Sequence, residues 1–532
     1  MTKDVDSAER DNNIDAVTVN NETNGLIRME TKSNEAVASE TNGTGNGENK
    51  SESNSPQPHG IQNNEDDASD ADENELLMRM RGDAVGETMF SKKFILQTLM
   101  QLSQQLPHTA LELELEDDLC KVWDMSVSPE VVALLLENDA IELIMFAISS
   151  SEDVRLYEIL IGLLGNMCAQ VECVEQLTAR ADWIEMLLKL STCMDTSMLI
   201  QLMRVYQYVM AHVVSGKEQL AIEWYICFAA FEGSAKNLGF ILQQSVSDEL
   251  LLAALKAINA VLASCALVEE ENAQTPDLKL KPFSEVFLVQ ELCEGVNNAF
   301  IRLMRDDSAK QADEVDGIVT DQAPITVDPN GIDDDGDEMS TPKINCDIEV
   351  IQTYLNICTI LVQLPEAQMS MDVYTPSIMF CLTRILLFLQ QPNQLLPLGE
   401  RQEEYLEDLA HICSCLKYFY DKAAFAHLLG VWTILRQHIE DYTEYDENDF
   451  EAYEDEPRSQ YEENAFKVLR LLAHMFVRAD VPILVRDIQE IDAMKVDMFR
   501  AALQTEQVDD VLIQRAHQRL DVVLNEVAGK AK

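Results

Sequence analysis

The sequence predicts an all-α protein whose helical units stack one after another along the chain. Three observations support this fold class. Apolar residues recur at helical spacing, no segment alternates as a strand would, and two neighbouring segments, starting at Ala140 and Asp182, match when one is laid over the other. The offset between them is 42 residues, a length typical of armadillo or HEAT repeats, so the predicted architecture is an armadillo/HEAT-like α-solenoid.

A long polar tail precedes the first predicted helix. Residues 1–86 contain no aromatic side chain and are rich in Asn, Ser, Thr, Glu, Asp and Gly. Such a segment cannot bury enough apolar surface to offset its chain entropy, so we expect a disordered acidic tail. Helical spacing begins in "MFSKKFILQTLMQLSQQL", from Met89, and ends at Pro107.

The repeat unit is predicted to be a helix, a short polar turn and a second helix. The matched segments are "AIELIMFAISSSEDVRLYEILIGLL" and "DWIEMLLKLSTCMDTSMLIQLMRVY". Before the first of them, Ser128 is a favourable N-cap, Pro129 a favourable first helical residue, and Asn138 suits a left-handed helix end. A short helix between Ser128 and Asn138 is therefore expected.

Two acidic segments interrupt the helical units, one containing "TVDPNGIDDDGDEMSTP" and the other "EDYTEYDENDFEAYEDEP". Both are expected to be loops, the first largely disordered. The predicted organisation is a tail, 1–86; solenoid, 87–305; an acidic insertion, 306–347; further solenoid, 348–440; an acidic aromatic loop, 441–463; and C-terminal helices, 464–532.

Two glycines fall inside one predicted helix, "LYEILIGLLGNMCAQ", at Gly162 and Gly165. Each costs a helix interior about 1 kcal/mol relative to alanine, so a compensating contact is expected. The apolar stripe of this helix is predicted to face the core, with both glycines on the opposite face. We therefore expect another backbone to approach closely there.

Asn166, beside these glycines, is the leading candidate for binding a partner. A side-chain amide on the groove of an armadillo protein can pair with the backbone of an extended peptide through its donor and acceptor. With Gly162 and Gly165 it forms a predicted partner-binding groove. The alternative is an asparagine that satisfies a turn or a neighbouring repeat.

The acidic aromatic loop is a second candidate contact surface. Tyr442, Tyr445, Phe450 and Tyr453 alternate with acidic residues, and Tyr461 follows them. This composition suits a basic partner, while a solvated linker is an equally good interpretation.

Enzymatic and metal chemistry have no support in the sequence. "DPNGIDDDGDE", from Asp328, meets an EF-hand register only in part, and we interpret it as an acidic loop. His411 and Cys415 share a helix face without a second ligand pair, which favours buried structural thiols. No nucleophile elbow, Walker A or dinucleotide fingerprint is present. We therefore predict no enzyme activity and no cofactor.

Charge limits the partners. Lys and Arg total 39 against 94 Asp and Glu, a formal net charge of −55, which opposes direct binding to nucleic acid and attracts basic proteins.

The best membrane candidate, Leu250–Val268, contains Lys256 and Asn259, so we expect a buried helix and no membrane association. Twelve scattered cysteines without a disulfide-like framework fit a reducing compartment.

Three stretches of the chain resemble a known family. "GETMFSKKF", "LCKVWDMSVSPEVVALLL" and "RLYEILIGLLGNMC" are similar to the N-terminal half of the serum amyloid A-like (Saal) proteins. The runs Trp123-Asp124-Met125-Ser126 and Leu164-Gly165-Asn166-Met167 carry most of the resemblance, which extends from about Gly86 to Leu177. It implies an armadillo-like, intracellular and largely nuclear protein without catalysis, associated with cell proliferation.

Two functions are therefore expected as alternatives. The first is a non-enzymatic scaffold in the nucleus, with the cytoplasm as a further location, that binds a protein partner. The second is an acidic chaperone or carrier for a basic client protein. Salt sensitivity separates them, because a client held by charge is released as ionic strength rises.

Overall fold

The computed structural model describes residues 82–106, 111–214, 218–274, 281–304, 348–363, 373–416, 420–445, 458–505 and 510–530. All of them belong to one compact unit, Ala71–Lys532, while the other unit, Met1–Asp70, lies outside the described residues. The described residues form helices and no β-strand. The helices are α1 (Lys92–Gln105), α2 (Leu113–Met125), α3 (Pro129–Glu137), α4 (Ala140–Ser150), α5 (Val154–Met167), α6 (Val171–Thr178), α7 (Ala181–Leu190), α8 (Thr196–Val214), α9 (Glu218–Ala230), α10 (Ser234–Gln244), α11 (Asp248–Gln274), α12 (Phe283–Phe287), α13 (Gln290–Leu303), α14 (Ile348–Gln363), α15 (Thr375–Leu389), α16 (Pro392–Leu395), α17 (Glu400–Cys415), α18 (Lys422–Tyr445), α19 (Arg458–Arg478), α20 (Val481–Ile488), α21 (Ala493–Thr505) and α22 (Val511–Lys530).

Many of these helices group in threes, and the predicted armadillo-like solenoid is confirmed. The repeat unit has three helices where the sequence predicts two. Two helices and a longer third helix form each of α3–α5, α6–α8 and α9–α11. The third helices of successive units pack side by side. We call this row of eight helices the third-helix layer; it runs α2, α5, α8, α11, α14, α17, α19, α22. Apolar side chains from all the units join in one continuous core.

Neighbouring helices of the third-helix layer run in the same direction. At the amino-terminal end, the Tyr405 hydroxyl of α17 donates to Ile348 O of α14 at 3.1 Å. At the carboxyl-terminal end, Arg478 Nη1 of α19 donates to Leu416 O, which follows α17, at 3.2 Å. The amino ends of these helices therefore share one edge of the layer, and the carboxyl ends share the other.

The carboxyl ends of these helices are capped by the next unit. The last carbonyls of a helix have no partner within it, and a polar or cationic side chain from the following helix satisfies them here. Asn166 Nδ2 donates to Trp123 O at 3.1 Å, and His212 Nε2 lies 3.0 Å from Cys168 O. Arg519 donates in the same way to Ala479 O. Each contact fixes one unit against its neighbour.

Helix α3 shows how closely capping signals predict boundaries. It spans Pro129–Glu137 with Ser128 as N-cap, as the sequence predicts. The left-handed residue is Asp139, with φ 55°, and Asn138 has φ −115°. The left-handed turn therefore falls one residue later, because Asp139 also forms the N-cap of α4.

The close backbone approach expected at Gly162 and Gly165 occurs elsewhere, between α10 and α13. A Cβ added to Gly239 would lie 2.3 Å from the carbonyl carbon and oxygen of Glu291. A Cβ on Gly295 would lie 2.7 Å from Gly239 O. Only glycine at both positions allows the two helix backbones to touch.

Helix α11 contains the predicted membrane candidate. Among the described helices it alone is long and apolar enough to cross a membrane, over Asp248–Ala266, and 61% of that window is buried. It packs against α8 and α14 within the third-helix layer. Its apolar side chains thus contribute to the helical core, as expected of a buried helix.

The predicted loop at 441–463 is shorter in the structure. Helix α18 continues to Tyr445 and α19 begins at Arg458. The predicted tail before Gly82 and the acidic insertion 306–347 lie outside the described residues.

Candidate functional site

The two motif runs identified in the sequence meet at one corner of the third-helix layer. Trp123 lies near the end of α2, and Asn166 lies near the end of α5. Asn166 Nδ2 donates to Trp123 O at 3.1 Å and to Ser126 Oγ at 2.9 Å. Ser126 also donates to Trp123 O, at 2.6 Å. Residues 40 and 43 positions apart therefore form one polar cluster.

The indole of Trp123 explains Gly162. A Cβ at position 162 would lie 2.3 Å from Cζ2 and 2.4 Å from Cε2 of that ring. Glycine at this position therefore leaves room for the half-buried Trp123 ring to pack against the helix backbone. The prediction of a close backbone contact at Gly162 is wrong, because a tryptophan side chain from the previous unit fills the space.

Gly165 has a different environment. The nearest heavy atom to an added Cβ is Val205 Cγ2, at 3.7 Å, which is an ordinary van der Waals distance. A methyl group would fit, so no close approach requires glycine here. The predicted stripe of the same helix is buried as expected, with at most 4% exposure at Leu156, Ile159, Leu160, Leu163, Leu164 and Met167.

Asn166 uses its amide within the protein. Both contacts of Nδ2 are to α2 and the residue after it, and Oδ1 accepts from Arg204 Nη2 of α8 at 2.9 Å. The amide thus links three successive helices of the layer. This geometry supports the structural alternative. The side chain is only half-buried, and Oδ1 has a second acceptor site, so a groove role stays a prediction.

Similar polar contacts join the later helices of the layer. They join Lys256 to Glu349, in the first turn of α14, at 2.5 Å, Thr359 to Asp408 at 3.4 Å, Lys467 to Glu407 at 2.6 Å, and Arg470 to Asp510, the residue before α22, at 3.0 Å. Sequence reasoning missed them, because each partner lies tens of residues away and the pairing depends on helix register. A polar residue recurring once per unit in the third helix is the only signal that could have indicated them.

Helix α17 carries five acidic residues and one basic residue. Burial raises the pKa of Asp408 to about 6, with Glu404 and Glu407 adding to the rise and the Thr359 hydroxyl opposing it. Burial, together with Glu400 and Glu407, also raises the pKa of Glu404. The exposed side of this helix therefore holds crowded negative charge.

The other predicted positions are dispersed. Tyr442 and Tyr445 belong to the last turns of α18, and Phe450 and Tyr453 lie outside the described residues. Tyr461, grouped with that loop, is instead 1% exposed in α19, and its hydroxyl accepts from Leu398 N at 3.1 Å. It is a core residue and no part of a contact loop.

The His411 and Cys415 pair is close but isolated. His411 Nε2 lies 3.8 Å from Cys415 Sγ, and burial lowers the pKa of His411. Among the described residues, no group of three or more His, Cys, Asp or Glu could hold a metal ion. The described cysteines are free thiols, and Asp328 lies outside the described part of the chain.

The fold therefore defines the class of protein, an armadillo-like α-solenoid. Within that class the chain is similar to "Protein saal1" of Xenopus tropicalis, with 30% identity over 183 residues, 32% of this chain and 38% of that protein. It is also similar to "Protein saal1" of Danio rerio, with 30% identity over 191 residues, 34% of this chain and 39% of that protein. The predicted resemblance to the Saal proteins is confirmed, and the match spans less than two-fifths of either relative.

Comparison with solved structures finds more distant similarities. No family model matches the chain. Among solved structures, "Designed armadillo repeat protein YIII(Dq)4CqI" has a TM-score of 0.36 and 15% identity, covering 59% of this chain and 98% of the designed protein. "Crystal structure of Uso1-2" has a TM-score of 0.39 and 10% identity, covering 80% of this chain and 60% of that chain. Similarities this distant do not inform function. The solenoid and the Saal relatives together fit a repeat scaffold for protein binding.

Proposed function

We propose that the protein is a non-enzymatic scaffold that binds a protein partner on the exposed side of the third-helix layer. One observation carries this proposal: polar and charged side chains join each helix of the eight-helix layer to the next. Repeat proteins use such extended surfaces to bind other proteins, because each unit adds area next to the last. From the resemblance to the Saal proteins we also propose a nuclear location and a role in the regulation of cell proliferation.

Proximity labelling in living cells tests the scaffold function. The full chain is fused to a labelling enzyme, and enriched proteins are identified against a control fusion of the same enzyme alone. We expect a small set of reproducible partners that also co-purify with the full chain. The absence of any partner that passes both steps would overturn the scaffold proposal. Fractionation of the same cells tests the nuclear location separately.

A carrier for a basic client is the second candidate, and the net charge of −55 favours it. A client held mainly by charge loses affinity steeply as salt rises, because screening shortens the reach of exposed charges to about 8 Å at physiological ionic strength. We measure partner retention on the immobilised full chain at about 0.05 M and about 0.5 M salt. Release at the higher salt supports a carrier, while retention supports a scaffold with a desolvated interface.

A further inference from the structure

Positive charge collects on the last two helices of the third-helix layer, α19 and α22. The basic residues of α19 lie on one side of the helix at helical spacing: Lys467, Arg470, His474 and Arg478. No acidic residue of α19 follows Glu463. In α22, Arg515 and Arg519 are four residues apart and precede the first acidic residue of that helix, Asp521. A chain with a net charge of −55 therefore contains a basic surface on two adjacent helices.

Two contacts fix the register of these helices. Arg470 Nε pairs with Asp510, the residue before α22, at 3.0 Å, and Arg519 donates to Ala479 O. Both contacts join residues 40 positions apart. Arg515 therefore lies level with position 475 of α19. The axes of packed helices are about 8–10 Å apart, so the basic side chains of the two helices are close neighbours.

The basic side chains at this place come from both helices and lie within about 8 Å along the helix axes. We call them the cationic corner: His474, Arg478, Arg515 and Arg519. Burial lowers the pKa of His474, and Arg478 and Arg470 lower it further because they are nearby positive charges. Arg515 is exposed, and it has no hydrogen-bond or ion-pair partner within the described part of the chain. The corner therefore presents a cation that the protein itself does not use.

The acids nearest in sequence do not balance the corner. Asp510 and Asp521 are paired with Arg470 and Arg500, at 3.0 and 2.7 Å. Asp480, at the start of α20, remains. On the other side of α19, helix α17 has no acidic residue in its last turns, after position 408. One carboxylate against three guanidinium groups leaves a net positive charge.

We propose that the cationic corner binds a phosphorylated serine or threonine of a protein partner. The proposal rests on the scaffold function above and adds the chemistry of the partner and its place on the layer. A guanidinium group pairs with phosphate through two parallel N–H donors. A phosphorylated side chain offers three acceptor oxygens and about −1.5 to −2 charges at pH 7. Three arginines on two helices match that group, whereas a single carboxylate would occupy only one of them.

The surroundings of the corner favour a short anion over a nucleic acid strand. A strand carries one charge on every nucleotide, and the part beyond the corner would approach the carboxylates in the first half of α17, Glu404, Glu407 and Asp408. The net charge of −55 opposes the same strand over a longer range. A phosphate group on a protein segment avoids most of this repulsion.

A blocked peptide, Ala-Gly-phosphoserine-Gly-Ala, tests the site in a titration with the full chain. Broadening of its phosphorus NMR signal gives the dissociation constant. The test variant is Arg515→Gln. The matched control is Arg401→Gln, because Arg401 is an exposed arginine at the other edge of the layer and also has no partner among the described residues. We expect about a fivefold or greater loss of affinity for the test variant and less than about twofold for the control.

Equal losses in the two variants would overturn the proposal, since the peptide would then sense only the overall charge. An unchanged affinity of Arg515→Gln, or no broadening with wild type, would overturn it as well. Circular dichroism of both variants confirms that the fold is retained. Inorganic phosphate and a thymidine oligonucleotide serve as competitors. If either binds more tightly than the peptide, the ligand is a free ion or a nucleic acid, and the proposal is wrong.

The partner found by proximity labelling separates this site from the scaffold function. We expect phosphatase treatment of that partner to weaken its binding to wild type and to have little effect on its binding to Arg515→Gln. If the treated partner binds wild type as well as before, the scaffold function stands and the phosphate site is wrong. If labelling finds no partner, the scaffold function fails, and the peptide titration still decides whether the corner binds phosphoserine.

Discussion

Gly239→Ala probes the closest backbone contact in the structure. The added methyl carbon would lie 2.3 Å from the carbonyl carbon and oxygen of Glu291 and 2.6 Å from Leu292 N. These are backbone atoms of α13, so they cannot move aside as a side chain can. Helices α10 and α13 would have to separate by about 1 Å to restore ordinary contact, which also weakens the hydrogen bond from Gln243 Nε2 to Glu291 O at 2.8 Å.

The expected cost follows from two opposing effects. Overpacking of this kind costs about 1–3 kcal/mol and occasionally more. Alanine recovers about 1 kcal/mol of helix propensity. Since the obstacle is backbone, we place the overpacking term at or above the upper end and expect a net loss of about 2–3 kcal/mol. Urea unfolding of the full chain, followed by far-ultraviolet circular dichroism, measures the shift of the midpoint.

Gly165→Ala is the matched control. Its added methyl would lie 3.7 Å from Val205 Cγ2, so only the gain in helix propensity remains, and we expect a midpoint equal to or above wild type. A wild-type midpoint for Gly239→Ala would refute the close approach of α10 and α13. Equal losses in both variants would show that the effect comes from glycine replacement in general.

Three further substitutions test the site. Gly162→Ala should displace the Trp123 indole, lower stability and change the near-ultraviolet circular dichroism; the spectral change should vanish in a Trp123→Phe background. Asn166→Ala removes hydrogen bonds to α2 and α8 and should cost about 1–3 kcal/mol of stability, with unchanged affinity of the folded protein for the labelled partner; weaker binding at unaltered stability would instead support the groove role. Asp408→Asn should raise stability at pH 7.5 by up to about 3 kcal/mol. The folded pKa of Asp408, about 6, lies above the usual 3.8, so the cost of its charge is present above pH 6 and disappears as pH falls to about 4. Urea midpoints for this variant and wild type should therefore converge between pH 7.5 and pH 4, and a constant difference would contradict the burial of that carboxylate.

Helix positions and the repeat were predictable because they depend on local signals. Ser128 and Pro129 define the start of α3, and the apolar spacing from Leu156 to Met167 defines the buried stripe of α5. These patterns arise from residues within a few turns of one another. The short helix α6 was harder to predict, because Gln170 gives it no capping signal like that of Ser128 and Pro129, and the predicted unit therefore has two helices where the structure has three.

The site was less predictable because its contacts cross between units. Gly162 indicates that a side chain is excluded, but it does not indicate that Trp123, three helices earlier, fills the space. Asn166 carries a donor and an acceptor, and only the register of α2, α5 and α8 decides that both are used internally. The grouping of Tyr461 with the acidic aromatic loop was wrong for the same reason, because the burial of Tyr461 depends on the packing of α17 and α18 against α19.

The capping of each carboxyl end by the next unit has a consequence for how such a chain can change length. Extra residues placed directly after a third helix would emerge beside a carbonyl such as Cys168 O and crowd the side chain that caps it from the next unit. Extra residues placed before a third helix leave these caps in place. The two long acidic segments follow this rule, since one ends where α14 begins at Ile348 and the other where α19 begins at Arg458. Insertions are therefore compatible with the edge of the third-helix layer that holds the amino ends of its helices, while the capping contacts fix the opposite edge.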